Sequence, residues 1–178
     1  LADGSVTTRA TFAVPPLGLA ADGADVLAAL GDHRIGRIDA AGTVTTVAGA
    51  ANASGFVDGA AADARFFRPA GLWVEGGTLF VADDGNYAVR TVALADGAVT
   101  TGLGAISAGS SDGSGAAARF FAPAGLAVAG TTVYVADTNN HTIRSVDLQS
   151  GAVTTIAGAA GQADYADGTG ADARFNTP

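Results

Sequence analysis

Val133-Tyr134-Val135-Ala136-Asp137-Thr138-Asn139-Asn140-His141-Thr142-Ile143-Arg144 reads as two β-prone runs joined by a polar turn. In an extended first run, Val133 and Val135 share one face and Tyr134 and Ala136 the other. Both faces are apolar. An antiparallel strand lying on water would alternate apolar and polar, so both sides of this one need cover. The string has a counterpart in Phe80-Val81-Ala82-Asp83 followed by Val89-Arg90.

Outward from this stretch the whole chain repeats. Ala64-Arg65-Phe66 returns as Ala118-Arg119-Phe120 and Ala173-Arg174-Phe175. Asp58-Gly59 returns as Asp112-Gly113 and Asp167-Gly168, and Pro69 as Pro123 and Pro178. The steps between Arg65, Arg119 and Arg174 are 54 and 55 residues. Each unit carries four short β-prone runs, in the third about 125–129, 132–137, 142–148 and 152–157, separated by Ala-Gly, Thr-Asn-Asn and Gln-Ser-Gly turns. Four-stranded sheets covered on both faces and repeated at fixed spacing describe the blades of a β-propeller.

The expected fold class is therefore all-β, with about three four-stranded antiparallel blades forming part of a larger, six-bladed ring. The segments are 1–8, the outer strand of a preceding blade; 9–49, a degenerate blade; 50–104 and 105–158, two full blades; and 159–178, a loop leading to the next blade. In the degenerate unit, Val26-Leu27-Ala28-Ala29 stands for Tyr134-Val135-Ala136-Asp137, and Gly36 for Arg144. The chain holds no Met, and no basic-then-apolar segment follows Leu1, so it reads as a piece of something longer or a processed product. Three blades would not close a ring, which takes about 4–8. The expected partners are further blades from a longer parent chain or from another copy.

Composition narrows the function classes. There is no Cys, which excludes disulfides, thiolate metal sites and a Cys nucleophile. The net charge is −8 and every basic residue is an isolated Arg, a poor match for phosphate backbones, so no nucleic-acid partner is expected. No apolar run approaches the length of a membrane span.

Gly125-Leu126-Ala127-Val128, followed by Val133 through Arg144 with its Asn140-His141 pair, resembles the NHL repeat. The Asp-Gly-x-x-x-x-Ala-Arg-Phe loop resembles the long-loop variety common in bacterial NHL proteins. The resemblance covers the chain well from about residue 54 and residues 1–49 weakly. It implies a propeller, and an extracellular or cell-surface bacterial setting. Function stays open, because the family spans scaffolds, sensors, RNA binders and a few enzymes.

The repeated polar residues read mainly as scaffold. A hairpin that sets Asp137 opposite Arg144 puts Val135 opposite Val146 and Val133 opposite Leu148. The same register pairs Asp83 with Arg90. The first unit lacks both members, having Ala29 and Gly36, as expected of a pair whose survivor would be a costly buried charge. The other reading presents these carboxylates to a ligand. Arg65, Arg119 and Arg174 recur in every long loop and are read as anchors, each followed by a Phe that can wedge between blades. His33, Tyr87 and His141 occupy one repeat position, which suits a flat side chain packed in a turn better than a zinc site. Asp58 with Asp63, and Asp167 with Asp172, hint at calcium, but Ala117 breaks the pattern, and a turn-capping Asp is preferred. No metal and no cofactor are expected.

In a propeller the second-to-third turns and the blade-to-blade loops emerge on one face, and here they are the long polar connections. Arg68, Asn86, Tyr87, Asn140 and His141 are the candidate ligand contacts. Arg68 is the most informative, because Ala122 and Asn176 replace it in the other loops; it also reads as a plain solvated charge. The function expected is a non-enzymatic recognition or scaffold module binding a protein or glycan through this loop face. The alternative is a fragment of a metal-dependent propeller hydrolase or lyase, lactonase-like, whose site lies mostly in missing blades. That reading has one Glu, Glu75, and two repeat-bound His to work with.

Overall fold

A computed structural model of the chain describes residues 8–178. Three antiparallel meanders follow one another. Blade 1 holds β1 (Pro16–Asp22), β2 (Asp25–Leu30), β3 (Ile35–Ile38) and β4 (Val44–Ala48). Blade 2 holds β5 (Pro69–Glu75), β6 (Thr78–Asp83), β7 (Ala88–Ala93) and β8 (Val99–Gly104). A two-residue strand, β9 (Gly113–Ser114), lies in the next long loop. Blade 3 holds β10 (Pro123–Ala129), β11 (Thr132–Asp137), β12 (Thr142–Asp147) and β13 (Ala152–Gly158). Within each blade the strands lie in chain order, as successive hairpins require. The result is a partial β-propeller, and no helix among the described residues is long and apolar enough to cross a membrane.

The inner strands β1, β5 and β10 stand side by side. Glycine permits the approach. A Cβ at Gly18 would collide with the Ala70 carbonyl oxygen, and one at Gly71 with that of Ala124. Gly125, third in the series, would meet only the Ala136 Cβ, at 3.4 Å.

Two apolar seams hold the blades together. Leu27, Ala29 and Ile35 of blade 1 meet Leu79, Val81 and Val92 of blade 2, with Phe66 from the long loop between them. Phe80, Val89 and Leu103 of blade 2 meet Val133, Val135 and Val146 of blade 3, with Phe120 between. Both phenylalanines are fully buried, each contributing about 2–3 kcal/mol by removal of apolar surface from water. Strand β6 has a blade on each side, and Leu79 through Asp83 are all buried. The end blades show the converse: Tyr134 is 39% exposed, and Leu17 and Leu19 are 49% and 59% exposed. Residues 1–7, read as most of a preceding outer strand, lie outside the described residues. Ala10 and Phe12 pack on Ala28, Leu30 and Ile38, covering part of blade 1's free face.

Two expectations about register need correction. Asp137 lies opposite Thr142, Val135 opposite Arg144 and Val133 opposite Val146, two residues tighter than the sequence pattern suggested. Blade 2 has the same register, with Asp83 opposite Ala88 and Val81 opposite Arg90. The cause is the turn. Thr138–Asn140 forms one 3-10 turn, and His141 closes it in the left-handed region at φ 59°. A shift of two keeps every side chain on its face, so the Asp–Arg partners survive as diagonal neighbours. In blade 1 the residue standing for Asp137 is Leu30, not Ala29. Pro16 lies opposite Leu30 as Pro123 lies opposite Asp137, because the blade 1 turn is one residue shorter. Leu30 leans over Gly36, 3.0 Å from where a Cβ would stand, so an apolar contact replaces the ion pair.

Candidate functional site

The polar interior of blades 2 and 3 is one design built twice. Arg90 is fully buried. Its Nη1 donates to Asp83 Oδ2 at 2.9 Å and to the Arg65 carbonyl at 3.1 Å. Its Nη2 donates to Asp58 Oδ1 at 2.6 Å and to the Val57 carbonyl at 2.9 Å. Arg144 repeats the set with Asp137 at 2.7 Å, the Arg119 carbonyl at 3.0 Å, Asp112 at 2.7 Å and the Ser111 carbonyl at 3.1 Å. Each guanidinium thus ties the long loop to the blade that follows it. Phe66 and Phe120 lie under these forks, 5.3 Å from the guanidinium carbon in each case.

Asp58 and Asp112 do not cap their own turns, contrary to the reading from sequence. Asp58 accepts from the Thr101 backbone N–H at 3.0 Å and hydroxyl at 2.9 Å, so it pins the loop to outer strand β8. Asp112 does the same on β13 through the Thr155 hydroxyl at 2.9 Å. The neighbouring Gly59 pairs with Val99, and Gly113 with Val153, so the loop covers the outer edge of its blade. Arg65 sends Nη1 to the Ala62 and Ala64 carbonyls, both at 2.7 Å. Arg119 and Arg174 bind the matching carbonyls of their own loops.

The two carboxylates that share each arginine differ in environment. Burial drives the Asp83 carboxyl up to about 6 despite bonds from Asn86, the Phe67 N–H and Arg90. Asp137 is raised for the same reason. Asp58 is held below the usual carboxylate range. Partial burial is its largest single influence and pushes upward, but the Thr101 and Arg90 donors together outweigh it.

Asn86 and Asn140, expected among the ligand contacts, belong to this interior instead. Asn86 Nδ2 donates to the Gly55 carbonyl at 2.7 Å and to Asp83 at 2.8 Å, and the residue is 7% exposed. Asn140 makes the same two bonds, to the Gly109 carbonyl and Asp137. A short polar side chain inside a tight turn bonds its own hairpin sooner than a ligand.

Arg68, Tyr87 and His141 remain at the surface, and the structure spreads them along successive seams. At the seam of blades 1 and 2, the His33 ring packs edge-on against Phe67 at 5.6 Å, and its Nδ1 accepts the Arg68 N–H at 3.2 Å. The Arg68 side chain is 61% exposed and reaches Asp84 at 3.3 Å. At the next seam, Tyr87 packs edge-on against Phe121 at 5.7 Å. After blade 3, His141 Nδ1 accepts the Thr177 N–H at 3.1 Å. Arg68, Ala122 and Thr177 share the left-handed backbone, at φ 55°, 54° and 51°. The true counterpart of Arg68 in the last loop is therefore Thr177 rather than Asn176. Phe67 and Phe121, 40% and 38% exposed, were missed as surface aromatics although the doubled Phe at each loop end marks them. Asp84 was missed too. Among the described residues no three His, Cys, Asp or Glu side chains gather as a metal site requires.

No family model matches the chain. NHL repeat-containing protein 2 of Gallus gallus is 40% identical over 83 residues, which is 47% of this chain and 11% of that protein. The Homo sapiens protein of the same name is 36% identical over 80 residues, again 11% of its length. The chain thus spans about a tenth of these relatives. Among solved structures, a Bacteroides thetaiotaomicron protein of unknown function matches with a TM-score of 0.75 at 23% identity, over 90% of this chain and 40% of that one. An auxiliary nutrient binding protein from Bacteroides ovatus matches with a TM-score of 0.67 at 22% identity, over 90% of this chain and 41% of that one. The blade architecture is shared with these solved structures, and the identity over the repeats, with the Asn-His turn, makes the chain similar to NHL-repeat proteins.

Proposed function

We propose that these blades form a non-enzymatic recognition or scaffold module that binds a protein or glycan through the loop face. One observation carries the reading. The charges repeated in blades 2 and 3 are engaged within the blades or their own loops, whereas the loop face keeps a row of partly exposed rings, Phe67, Tyr87 and Phe121, beside the exposed cation Arg68. Flat rings with a polar neighbour suit sugar faces and protein surfaces alike. A binding role also agrees with the name of the B. ovatus structural neighbour, and with a bacterial extracellular or cell-surface setting.

The exposed apolar faces of blades 1 and 3 support further blades as partners, supplied by a longer parent chain or by another copy. Asp167 carries a hint of their kind. Asp58 and Asp112 each latch onto an arginine of the following blade. Blade 1 has Gly36 at that position, so a blade bearing the arginine suits Asp167 better than blade 1 of a second copy.

Glycan and protein arrays probed with the full chain test the reading. Specific ligands are expected, and Arg68→Ala should weaken them about 5- to 10-fold with the fold intact. Binding that ignores Arg68, Tyr87 and Phe121 substitutions but responds to changes at the opposite turns, such as Gly76-Gly77, would overturn it.

A further inference from the structure

Each outer strand carries a β-bulge at the same place, with one extra residue. It is Val47 in β4, Gly102 in β8 and Ile156 in β13. Val47 packs into the seam between blades 1 and 2, together with Leu94. The turn of blade 2 closes tightly there, since a Cβ at Gly97 would strike the Val47 carbonyl and the Ala61 side chain. At the seam between blades 2 and 3 the bulge residue is glycine, and the gap stays open. Gly151, the counterpart of Gly97, has only the Gly115 nitrogen nearby, at 3.7 Å. Leu148, the counterpart of Leu94, is left 41% exposed.

Nothing in the backbone demands this glycine. A Cβ at Gly102 would find its nearest neighbours at 3.5 and 4.0 Å, ordinary contact distances. Glycine inside a strand weakens it, and often marks close approach of something else. The missing side chain leaves a half-open cleft of about 220 Å³ walled by Phe80, Val89, Leu103, Val133, Val146 and Leu148. An apolar cleft of this volume has room for a single apolar ring. The polar groups at the mouth are Thr91 and Asp147. The Asp147 carboxylate is held in its turn by the Gln149 and Ser150 N–H groups and the Ser150 hydroxyl. A fixed negative charge at the mouth of a chain of net charge −8 disfavours anions.

We infer that the seam between blades 2 and 3 is a binding site for a small non-anionic molecule of one or two apolar rings, opened by Gly102 where the repeat elsewhere carries Val47 or Ile156. The site is separate from the loop face and does not depend on it.

Titration of the full chain with indole, followed by methyl NMR, tests the site. Saturable shifts are expected at Val89, Leu103, Val133 and Val146, with half-saturation at about 0.1–1 mM. Benzoate should bind at least about 5-fold more weakly than indole. Gly102→Val copies blade 1; it should abolish the shifts and raise the thermal midpoint by about 2–4 °C. Gly102→Ala, a smaller change, should weaken binding part-way. No saturable shifts in the parent chain, or indole binding unchanged in Gly102→Val or Gly102→Ala, would overturn the proposal.

Discussion

Arg144 concentrates the energetics of blade 3 in one side chain. It is fully buried, and its fork joins Asp137 to Asp112 and holds two loop carbonyls. Truncation would leave the Asp137 carboxylate, itself fully buried, without its cation. Arg144→Ala is expected to cost about 3–5 kcal/mol in denaturant melts. The double change with Asp137→Ala should cost less than the two singles together, with a coupling of about 1–3 kcal/mol. A coupling of zero would mean that the ion pair does not hold the hairpin. The pairing was legible because the first unit lacks both members. The site of the lost carboxyl was misplaced by one residue, because the shorter turn around Gly31-Asp32 leaves no mark in composition. Asp83 makes the same cluster sensitive to pH. Its carboxyl sits at about 6, raised by burial, whereas the unfolded chain titrates near 4. The folded state therefore holds a proton that the unfolded chain has lost. Its contribution to stability is complete below about pH 4 and declines as pH rises through about 6. Asp58, held low, acts in the opposite sense and gives up its contribution as pH falls below the usual carboxylate range. Carboxyl-detected NMR titration of Asp83 checks the direction; a midpoint below about 4 would contradict it.

At the scale of the element, the latched loop and the inner-strand glycines set how blades meet. Asp58 holds the loop to β8 through both the N–H and the hydroxyl of Thr101. Asp58→Ala is expected to speed amide exchange at Thr101 and Gly59 more than in the core of β6, with a loss of about 1–2 kcal/mol overall. Unchanged protection at those amides would remove the latch. Gly71 and Gly125 form a matched pair of tests. Ala at 71 would collide with the Ala124 carbonyl, whereas at 125 it would meet only a side chain at ordinary distance. Gly71→Ala should cost about 1–3 kcal/mol and Gly125→Ala less than about 0.5 kcal/mol in this chain. Equal costs in thermal melts would mean that inner strands are not what brings the blades together. The four runs of each unit were readable from alternating apolar stretches and turn residues. Register was not, because a left-handed residue at Tyr87 or His141 is a conformational fact that a His/Tyr position does not announce. The buried role of Asn86 and Asn140 was hidden for the same reason: only the closed turn points their amides inward.

For the whole molecule, face-to-face stacking of blades explains why one apolar pattern is buried in blade 2 and partly exposed in blade 3. In β6 Leu79 through Asp83 are all buried, and in its counterpart β2 Leu27 through Leu30 are, while β11 shows Tyr134 to solvent. Repetition made the architecture legible, since three landmarks keep one period. The same repetition left the ligand unread, because the charges that recur from blade to blade, such as Arg90 and Arg144, serve the scaffold. Faces of this kind are built to be covered. Light scattering across a concentration series on the 178-residue chain is the most direct check on the blade-stack reading. Concentration-dependent association is expected, reduced by Tyr134→Asp combined with Ile156→Asp on the free face of blade 3. A compact monomer that unfolds cooperatively and stays monodisperse at every concentration would contradict it.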